Sequence, residues 1–382
     1  MARANDLKAI LDGAVAAGHA PGMAAAVVGP EGLASAAAGV RGADNPAAMT
    51  EDTVFWIASL TKALTSAAAM QLVEQGRVSL DEPVSRWLPR LAAPRLLEGF
   101  DAAGKPLTRP ARTPVTLRHL LTHTSGLAYD FFSADLVRYL QATGESLMGA
   151  EDPDIPLMFE PGQGWQYGIS TDWTGKLVEA VSGERLDAYM DAHIFKPLRM
   201  TDTTFSPGEA LAGRRASVHQ RLPDGSLVPI PFGMPTPPYF AMGGGGLYST
   251  AGDYLRFLRA ILGGGALDGA RILKAETVAE MTTNQIGDLN PGALKTSNPG
   301  LSHDFEPMPG APKGWGLGFL INHGPGPAGR GADSLAWAGL ANCYYWIDPA
   351  AGRAGVTMAQ VLPFADPKVL ETFDAVERAA YA

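Results

Sequence analysis

The sequence has one cysteine, Cys343, few charged residues and no uninterrupted run of 18 apolar residues. A single cysteine excludes an internal disulfide, and the missing apolar run excludes a membrane-spanning helix. Arginine and lysine number 30 against 39 acidic residues, without a basic cluster, so we expect neither nucleic acid nor a membrane as partner. The first residues, with Leu7, Leu11 and Val15 at helical spacing, lack the core of a signal peptide, which predicts a cytoplasmic protein.

Three familiar site motifs are also missing. Gly-x-Ser-x-Gly does not occur, which argues against an α/β-hydrolase nucleophile. His119 and His123 have i, i+4 spacing but lack the glutamate of His-Glu-x-x-His, so we interpret both as structural. The four glycines 243–246 match no phosphate-binding loop and are better explained by close packing. We therefore predict no metal and no organic cofactor.

The sequence is rich in glycine and proline, with 45 and 30 of its 382 residues, yet 46% of the residues are hydrophobic. This combination predicts a folded chain with many turns rather than disorder. Helical and strand-like patterns lie in the first 80 residues and again after residue 243, whereas short helical patterns separated by long connections fill the middle. The predicted elements are a hairpin at 23–28 and 33–40, helices at 59–74, 117–121, 173–181, 186–194, 251–262 and from 367, and strands at 315–321, 335–347 and 355–361.

These patterns predict an α/β (α+β) fold in which one domain is discontinuous. Residues 1–80 and 243–382 would form the α/β domain, and residues 81–242 an inserted, mostly helical domain with long loops that form a cleft. Cys343 falls within the predicted strand 335–347 and should be buried.

Ser59 and Lys62 are the first candidate catalytic residues. Residues three apart on a helix share a face, so the Lys62 amine can reach the Ser59 hydroxyl and take its proton. The flanking residues are small and apolar, and burial there would favour the neutral amine that such a base requires. Ser59 would also stand at a helix N-terminus, where backbone N–H groups support a developing anion.

Several segments in order then resemble the serine β-lactamase and penicillin-binding-protein superfamily, and within it the class C β-lactamase-like family VIII carboxylesterases. The segments are 56–62 with Ser-x-x-Lys, 71–76, 80–84, 120–127, 159–167 and 244–250. The resemblance covers nearly the whole chain. It implies a central antiparallel sheet flanked by helices, a helical insertion and catalysis through an acyl-enzyme.

The second and third motifs of that superfamily depart from the β-lactamase pattern. Tyr167 stands where Tyr-x-Asn begins, and the resemblance makes it a base for Ser59 and an acid for the leaving group. Ile169 replaces the asparagine, and Trp337-Ala338-Gly339 replaces Lys-Thr-Gly, so both departures favour esters over β-lactams. The backbone N–H groups of Ser59 and Leu340, the latter on a strand, would form the oxyanion hole.

Aromatic residues on both sides of the predicted cleft are candidates for substrate binding. Those proposed to contact substrate are Tyr129, Phe131, Phe240, Ile169, Trp337 and Gly339, with Phe132, Pro237, Tyr239 and Met242 nearby. Asp172 either orients the tyrosine or lysine or serves as an exposed helix cap.

We therefore predict a serine carboxylesterase that uses Ser59, Lys62 and Tyr167 on short-chain or aryl esters, with β-lactamase activity weak at most. A β-lactamase or D-amino-acid peptidase, an acyltransferase on the same fold and a non-catalytic binding protein are the alternatives. The expected partner is a small-molecule ester, and the oligomeric state is left open.

Overall fold

A computed structural model describes residues 4–147, 151–235 and 238–382. Pro237, one of the residues named near the cleft, lies outside this described part. The helices are α1 (Ala4–Ala16), α2 (Thr61–Glu74), α3 (Leu117–Leu121), α4 (Ala134–Thr143), α5 (Ser170–Ser182), α6 (Leu186–Met190), α7 (Lys196–Leu198), α8 (Glu209–Ala212), α9 (Ala251–Leu262), α10 (Ala275–Met281) and α11 (Pro367–Tyr381). The strands are β1 (Gly22–Gly29), β2 (Gly32–Gly39), β3 (Phe55–Trp56), β4 (Arg95–Phe100), β5 (Pro106–Pro110), β6 (His219–Arg221), β7 (Leu227–Pro229), β8 (Tyr248–Ser249), β9 (Ala266–Leu267), β10 (Ala270–Arg271), β11 (Lys313–Trp315), β12 (Leu320–Asn322), β13 (Ser334–Gly339), β14 (Cys343–Asp348), β15 (Arg353–Met358) and β16 (Val361–Leu362).

The main sheet has seven strands in the order β11-β12-β13-β14-β15-β1-β2, and each neighbouring pair is antiparallel. Every residue of β14 is buried, as are most residues of β1 and β15. Strands buried on both faces need a covering layer on each side, and the helices α1, α9 and α11 contact these strands. The predicted mixed fold with a central antiparallel sheet flanked by helices is confirmed.

Helix α2 passes through the interior. Twelve successive residues, from Thr61 to Leu72, are buried, and the helix packs against α5 and α6. A helix that is buried on all sides needs side chains that neighbouring elements can approach closely, and Ala67, Ala68 and Ala69 meet this need. Gly76 adopts the left-handed conformation, with φ 66°, just after the last residues of α2 and ends the helix, as predicted.

None of three predicted strands is a single strand. The run 315–321 extends from the last residue of β11 into β12, the run 335–347 spans most of β13 and β14, and the run 355–361 covers most of β15 and the first residue of β16. Asn342, at φ 63°, occupies the left-handed conformation in the turn between β13 and β14. Because this turn is built from buried residues, the hydrophobic pattern did not reveal it. The sequence analysis also missed the hairpins β4–β5 and β6–β7 in the middle of the chain.

Other predicted elements agree closely with the structure. The hairpin β1–β2 and the helices α3, α9 and α11 have bounds within a residue of the prediction. Cys343 is buried at the start of β14, as expected. Within the described ranges, no helix is both long and apolar enough to cross a membrane.

Asp253, in the first turn of α9, is a buried carboxylic acid. It accepts hydrogen bonds from the Asp202 backbone N–H at 2.7 Å and from the Thr203 hydroxyl at 3.0 Å. Burial outweighs these hydrogen bonds and raises the pKa of Asp253 from 3.8 to about 6. A folded-state pKa above the unfolded value means that the neutral acid stabilises the fold, and this contribution is lost as the pH rises through about 4 to 6.

We expect Asp253→Asn to gain stability relative to the parent protein as the pH rises through this window. The gain should reach at most about 3 kcal/mol, because the amide keeps an acceptor oxygen and cannot ionise. Urea unfolding of both proteins at about pH 4 and pH 7 measures the change. A stability difference that is the same at both pH values contradicts the prediction.

Candidate active site

Ser59 lies in a 3₁₀ turn, Ala58–Leu60, that leads directly into α2. The expected α-helix therefore begins two residues later than predicted, although Ser59 still stands at its N-terminal end. Ala58 has φ 45°, a conformation that non-glycine residues seldom adopt, so the backbone is strained immediately before the candidate nucleophile. The Thr61 hydroxyl donates to the Ala58 carbonyl at 2.6 Å and holds this turn.

Lys62 is buried, with 2% of its surface exposed, and its amine has three oxygen neighbours. Its Nζ lies 3.1 Å from Ser59 Oγ, 3.1 Å from the Tyr129 hydroxyl and 2.7 Å from the Gly244 carbonyl. The carbonyl can only accept, so one N–H always points to Gly244. The other two neighbours are hydroxyls, which donate or accept. The site can therefore hold either the ammonium, which donates to Ser59, or the amine, which accepts from it.

The glycine run 243–246 lies against the segment that carries Ser59. Three successive carbonyls of the run accept hydrogen bonds from that segment: Gly243 from Thr65 at 2.7 Å, Gly244 from Lys62, and Gly245 from the Trp56 indole at 2.8 Å. A Cβ on Gly243 would come within 2.8 Å of the Thr171 carbonyl, and one on Gly246 within 2.8 Å of the Phe205 ring. Close packing accounts for the glycines, as the sequence analysis expected.

Two tyrosines flank the Lys62 amine and have different surroundings. Nζ lies 4.7 Å from the centre of the Tyr167 ring and 5.1 Å from that of Tyr129. The Tyr167 hydroxyl accepts a hydrogen bond from the Trp337 indole N–H at 3.0 Å. Burial and the nearby Asp172 carboxylate raise the pKa of Tyr129 well above its usual value, so this phenol stays neutral. Lys62, rather than Tyr167, is hydrogen-bonded to Ser59.

His123 is fully enclosed behind Tyr167, with the two ring centres 4.9 Å apart. Burial, reinforced by the positive charge of Lys62, lowers the pKa of His123 well below its usual value, so the imidazole is neutral. It does not share a helix face with His119, because α3 ends at Leu121, and His119 instead completes a capping box with Thr116. No group of metal-ligating side chains occurs among the described residues.

The two backbone amides expected to form the oxyanion hole are at the junction of β13 and the Ser59 turn. The sequence analysis placed Leu340 on a strand, but Leu340 is the first residue after β13. Neither its N–H nor that of Ser59 donates to another atom of the described chain. A Cβ on Gly339 would lie 2.3 Å from the Ile57 carbonyl, so only glycine allows β13 to approach the turn this closely. Gly339 thus packs against the turn and does not line the cavity.

The residues around Ser59 enclose a cavity of about 280 Å³ with mainly apolar walls. Of the residues proposed to bind substrate, the cavity is lined by Tyr129, Phe131, Phe240, Ile169 and Trp337, and also by the neighbouring Phe132 and Met242. Tyr239 is 77% exposed and is not a lining residue. Further walls that the sequence analysis missed come from Trp173, Lys176, Leu294, Leu301 and Phe364.

Asp172 is half-buried in the cavity wall on the first turn of α5, and it does not cap that helix. Its Oδ1 accepts the Gly244 backbone N–H at 2.8 Å. Of the two roles considered for Asp172, the exposed cap was wrong. Its contact with Gly244 could not be anticipated, because the two residues are 72 positions apart.

Comparison with known proteins agrees with this geometry. A family model described as Beta-lactamase matches residues 7–379. The monacolin J acid methylbutanoyltransferase of Aspergillus terreus is 36% identical over 354 residues, covering 87% of this chain and 82% of its own. The lovastatin esterase of Penicillium rubens is 35% identical over 330 residues, covering 82% and 81%. The solved structure of unliganded simvastatin synthase from Aspergillus terreus has a TM-score of 0.85 at 32% identity, covering 98% of this chain and 97% of that one.

The match extends over nearly the whole length and includes the segments on which the resemblance was based. The predicted superfamily is therefore confirmed, and its members among these relatives act on esters or transfer acyl groups, as their names state. This chain belongs to the Beta-lactamase family of serine hydrolases and acyltransferases.

Proposed function

We propose that this protein is a serine esterase that cleaves short-chain or aryl carboxylic esters through an acyl-enzyme on Ser59. The observation that carries the proposal is the 3.1 Å contact between Ser59 Oγ and the buried Lys62 amine, at the wall of an apolar cavity. A serine hydroxyl becomes nucleophilic when a neighbouring base accepts its proton, and a neutral amine at this distance is such a base.

In the first step Ser59 Oγ attacks the ester carbonyl carbon while its proton passes to Lys62 Nζ. The carbonyl oxygen becomes an oxyanion, for which the free N–H groups of Ser59 and Leu340 are the proposed donors. Loss of one such donor typically costs about 3–4 kcal/mol of transition-state stabilisation. The Gly244 carbonyl keeps the amine in place throughout, because it accepts an N–H in both protonation states of Lys62.

In the second step the C–O bond to the alcohol breaks, and the departing oxygen needs a proton. Tyr167 is the proposed acid, and the phenolate that remains is balanced by the ammonium of Lys62, whose Nζ lies 4.7 Å from the centre of the Tyr167 ring. The indole N–H of Trp337 supports negative charge on the phenol oxygen while the proton is in transit. Water then attacks the acyl-Ser59 carbonyl, the same groups move the proton in the reverse direction, and the carboxylic acid leaves.

The chemistry of the cavity supports esters over β-lactams. Ile169 and Trp337 line it at the positions where β-lactamases carry an amide and the Lys-Thr-Gly motif. Ile169 has no polar side-chain atom, and the indole N–H of Trp337 is already bonded to Tyr167, so neither pairs with the carboxylate or the amide group of a β-lactam, and burying those groups unpaired is unfavourable. An aryl or small aliphatic ester places only apolar atoms against these walls.

Acyl transfer to an alcohol is the second candidate. Two observations favour it: the similarity to the methylbutanoyltransferase, and mainly apolar walls that would accept an apolar alcohol in place of water. Hydrolysis and transfer share the acyl-enzyme and differ only in which oxygen attacks it.

We expect Ser59→Ala to lose at least about 10³-fold in kcat/KM toward p-nitrophenyl acetate, because no other hydroxyl replaces the nucleophile. Labelling by an organophosphonate, followed by mass spectrometry, should modify Ser59 of the parent protein. Ser66→Ala is the matched control, because Ser66 is a buried serine of the adjoining helix α2 that lies outside the cavity, and this variant should keep both properties. Unchanged hydrolysis in Ser59→Ala, or label found elsewhere, contradicts the proposal.

We expect Trp337→Phe to lower kcat/KM by about 10- to 100-fold. The ring remains, but the N–H that supports charge on Tyr167 is removed, and such a hydrogen bond is worth about 1.5–3 kcal/mol. Trp346→Phe is the control, because this indole is also buried and its N–H has no hydrogen-bond partner among the described residues. Equal activities of the two variants would remove the Trp337 N–H from the mechanism.

For the second candidate, an excess of cyclohexanol added to a p-nitrophenyl ester assay should yield the cyclohexyl ester beside the free acid. Gas chromatography measures the ratio of the two products. A ratio that does not rise with the alcohol concentration, while p-nitrophenol is still released, leaves hydrolysis as the only reaction.

A further inference from the structure

The Gly244 backbone connects Asp172 to Lys62. Its N–H donates to Asp172 Oδ1 at 2.8 Å, and its carbonyl accepts the Lys62 amine at 2.7 Å. The carboxylate and the candidate base are therefore held by the two polar groups of a single residue. A shift of this backbone would move the acceptor that orients the amine toward Ser59.

Any side chain at this connection would have to displace the groups that meet there. A Cβ on Gly244 would lie 2.9 Å from both carboxylate oxygens of Asp172 and 3.0 Å from the Tyr129 hydroxyl. Tyr129 in turn lies 3.1 Å from Lys62 Nζ. The missing side chain thus leaves the space in which the carboxylate, the phenol and the amine come together.

Asp172 is also the carboxylate that faces Lys62. The described groups that titrate and lie around the amine are Ser59, Tyr129, Tyr167, His123 and Asp172. Lys176, one turn further along α5, is the other cation near Asp172, and it has its own acidic partners in Asp152 at 2.7 Å and Glu151 at 3.4 Å. A charge close to a buried amine acts through a medium of low dielectric constant and strongly affects which protonation state is favoured.

We infer that Asp172 is a positioning residue for Lys62, which fixes the Gly244 carbonyl and supplies the negative charge that balances the ammonium formed when Ser59 is deprotonated. This inference rests on the proposed function, because it assigns the proton of Ser59 to Lys62. Asp172 does not contact Ser59 and takes no proton itself. Its effect is to keep the amine aimed at Ser59 and to stabilise the ammonium once the proton has moved.

Two variants distinguish the effect of the Asp172 charge from that of its hydrogen bond to the Gly244 N–H. Asp172→Asn keeps an acceptor oxygen for the Gly244 N–H and removes the charge. Without the charge the ammonium formed in the reaction is less favoured, so the plateau of kcat/KM should fall and the acid limb of the profile should move down by about 1 pH unit. Asp172→Ala removes the charge and the hydrogen bond, so it should show the same displacement with a plateau below that of Asp172→Asn.

The test is the pH dependence of kcat/KM for p-nitrophenyl acetate in the parent, Asp172→Asn, Asp172→Ala and Asp172→Glu. The glutamate variant keeps a negative charge, so its acid limb should lie closer to that of the parent than the acid limbs of the neutral variants do. Asp253→Asn is the matched control, because Asp253 also accepts a backbone N–H yet lies outside the cavity, and its profile should coincide with that of the parent. Asp172→Ser is the neutral replacement to be measured if Asp172→Asn does not fold.

Each outcome has a distinct meaning. An acid limb that does not move in the folded neutral variant, while organophosphonate still labels Ser59, overturns the role of Asp172 and leaves the proposed function intact. Absence of label on Ser59 in the parent protein overturns the proposed function itself. A loss of activity in all three Asp172 variants without displacement of the limb would show that Asp172 is only structural.

Discussion

The burial of one lysine amine is the constraint on which the rest of the site depends. A charged group removed from water is costly unless nearby dipoles replace the lost solvation. Lys62 has three oxygen neighbours within 3.1 Å, and each comes from a different part of the chain: the Ser59 turn, the loop that carries Tyr129, and the glycine run. To solvate the amine, the fold must bring these segments together, and the same contact brings the amine to the nucleophile.

The glycine run shows how the backbone meets this requirement. Thr65, Lys62 and Trp56 each donate to a carbonyl of the run, so α2 and β3 are joined to it at three successive residues. A backbone can approach a helix this closely only if neither surface has bulky side chains. Gly339 has the same function on the other side of the turn, where β13 meets Ile57.

Local chemistry was predictable from the sequence, and contacts made by tertiary packing were not. The spacing of Ser59 and Lys62 is local, so their contact was foreseen. Tyr129 was placed only among the substrate-binding residues, because its contact with Lys62 spans 67 positions, and the bond from Trp337 to Tyr167 spans 170. The same reasoning explains why β13 and β14 were predicted as one strand. Apolar residues fill both strands and the buried turn at Asn342, so hydrophobicity alone does not mark where one strand ends and the next begins.

The burial of α2 from Thr61 to Leu72 limits which parts of this protein can vary. A substitution in a stretch without a solvent face disturbs several neighbours at once, so the segment that carries Lys62 has little freedom to vary. The cavity walls come instead from stretches far apart in the chain, around residues 129–132, 169–176, 294–301 and 364. The walls of the cavity can therefore change in these stretches one at a time, while the contact between Lys62 and Ser59 is preserved.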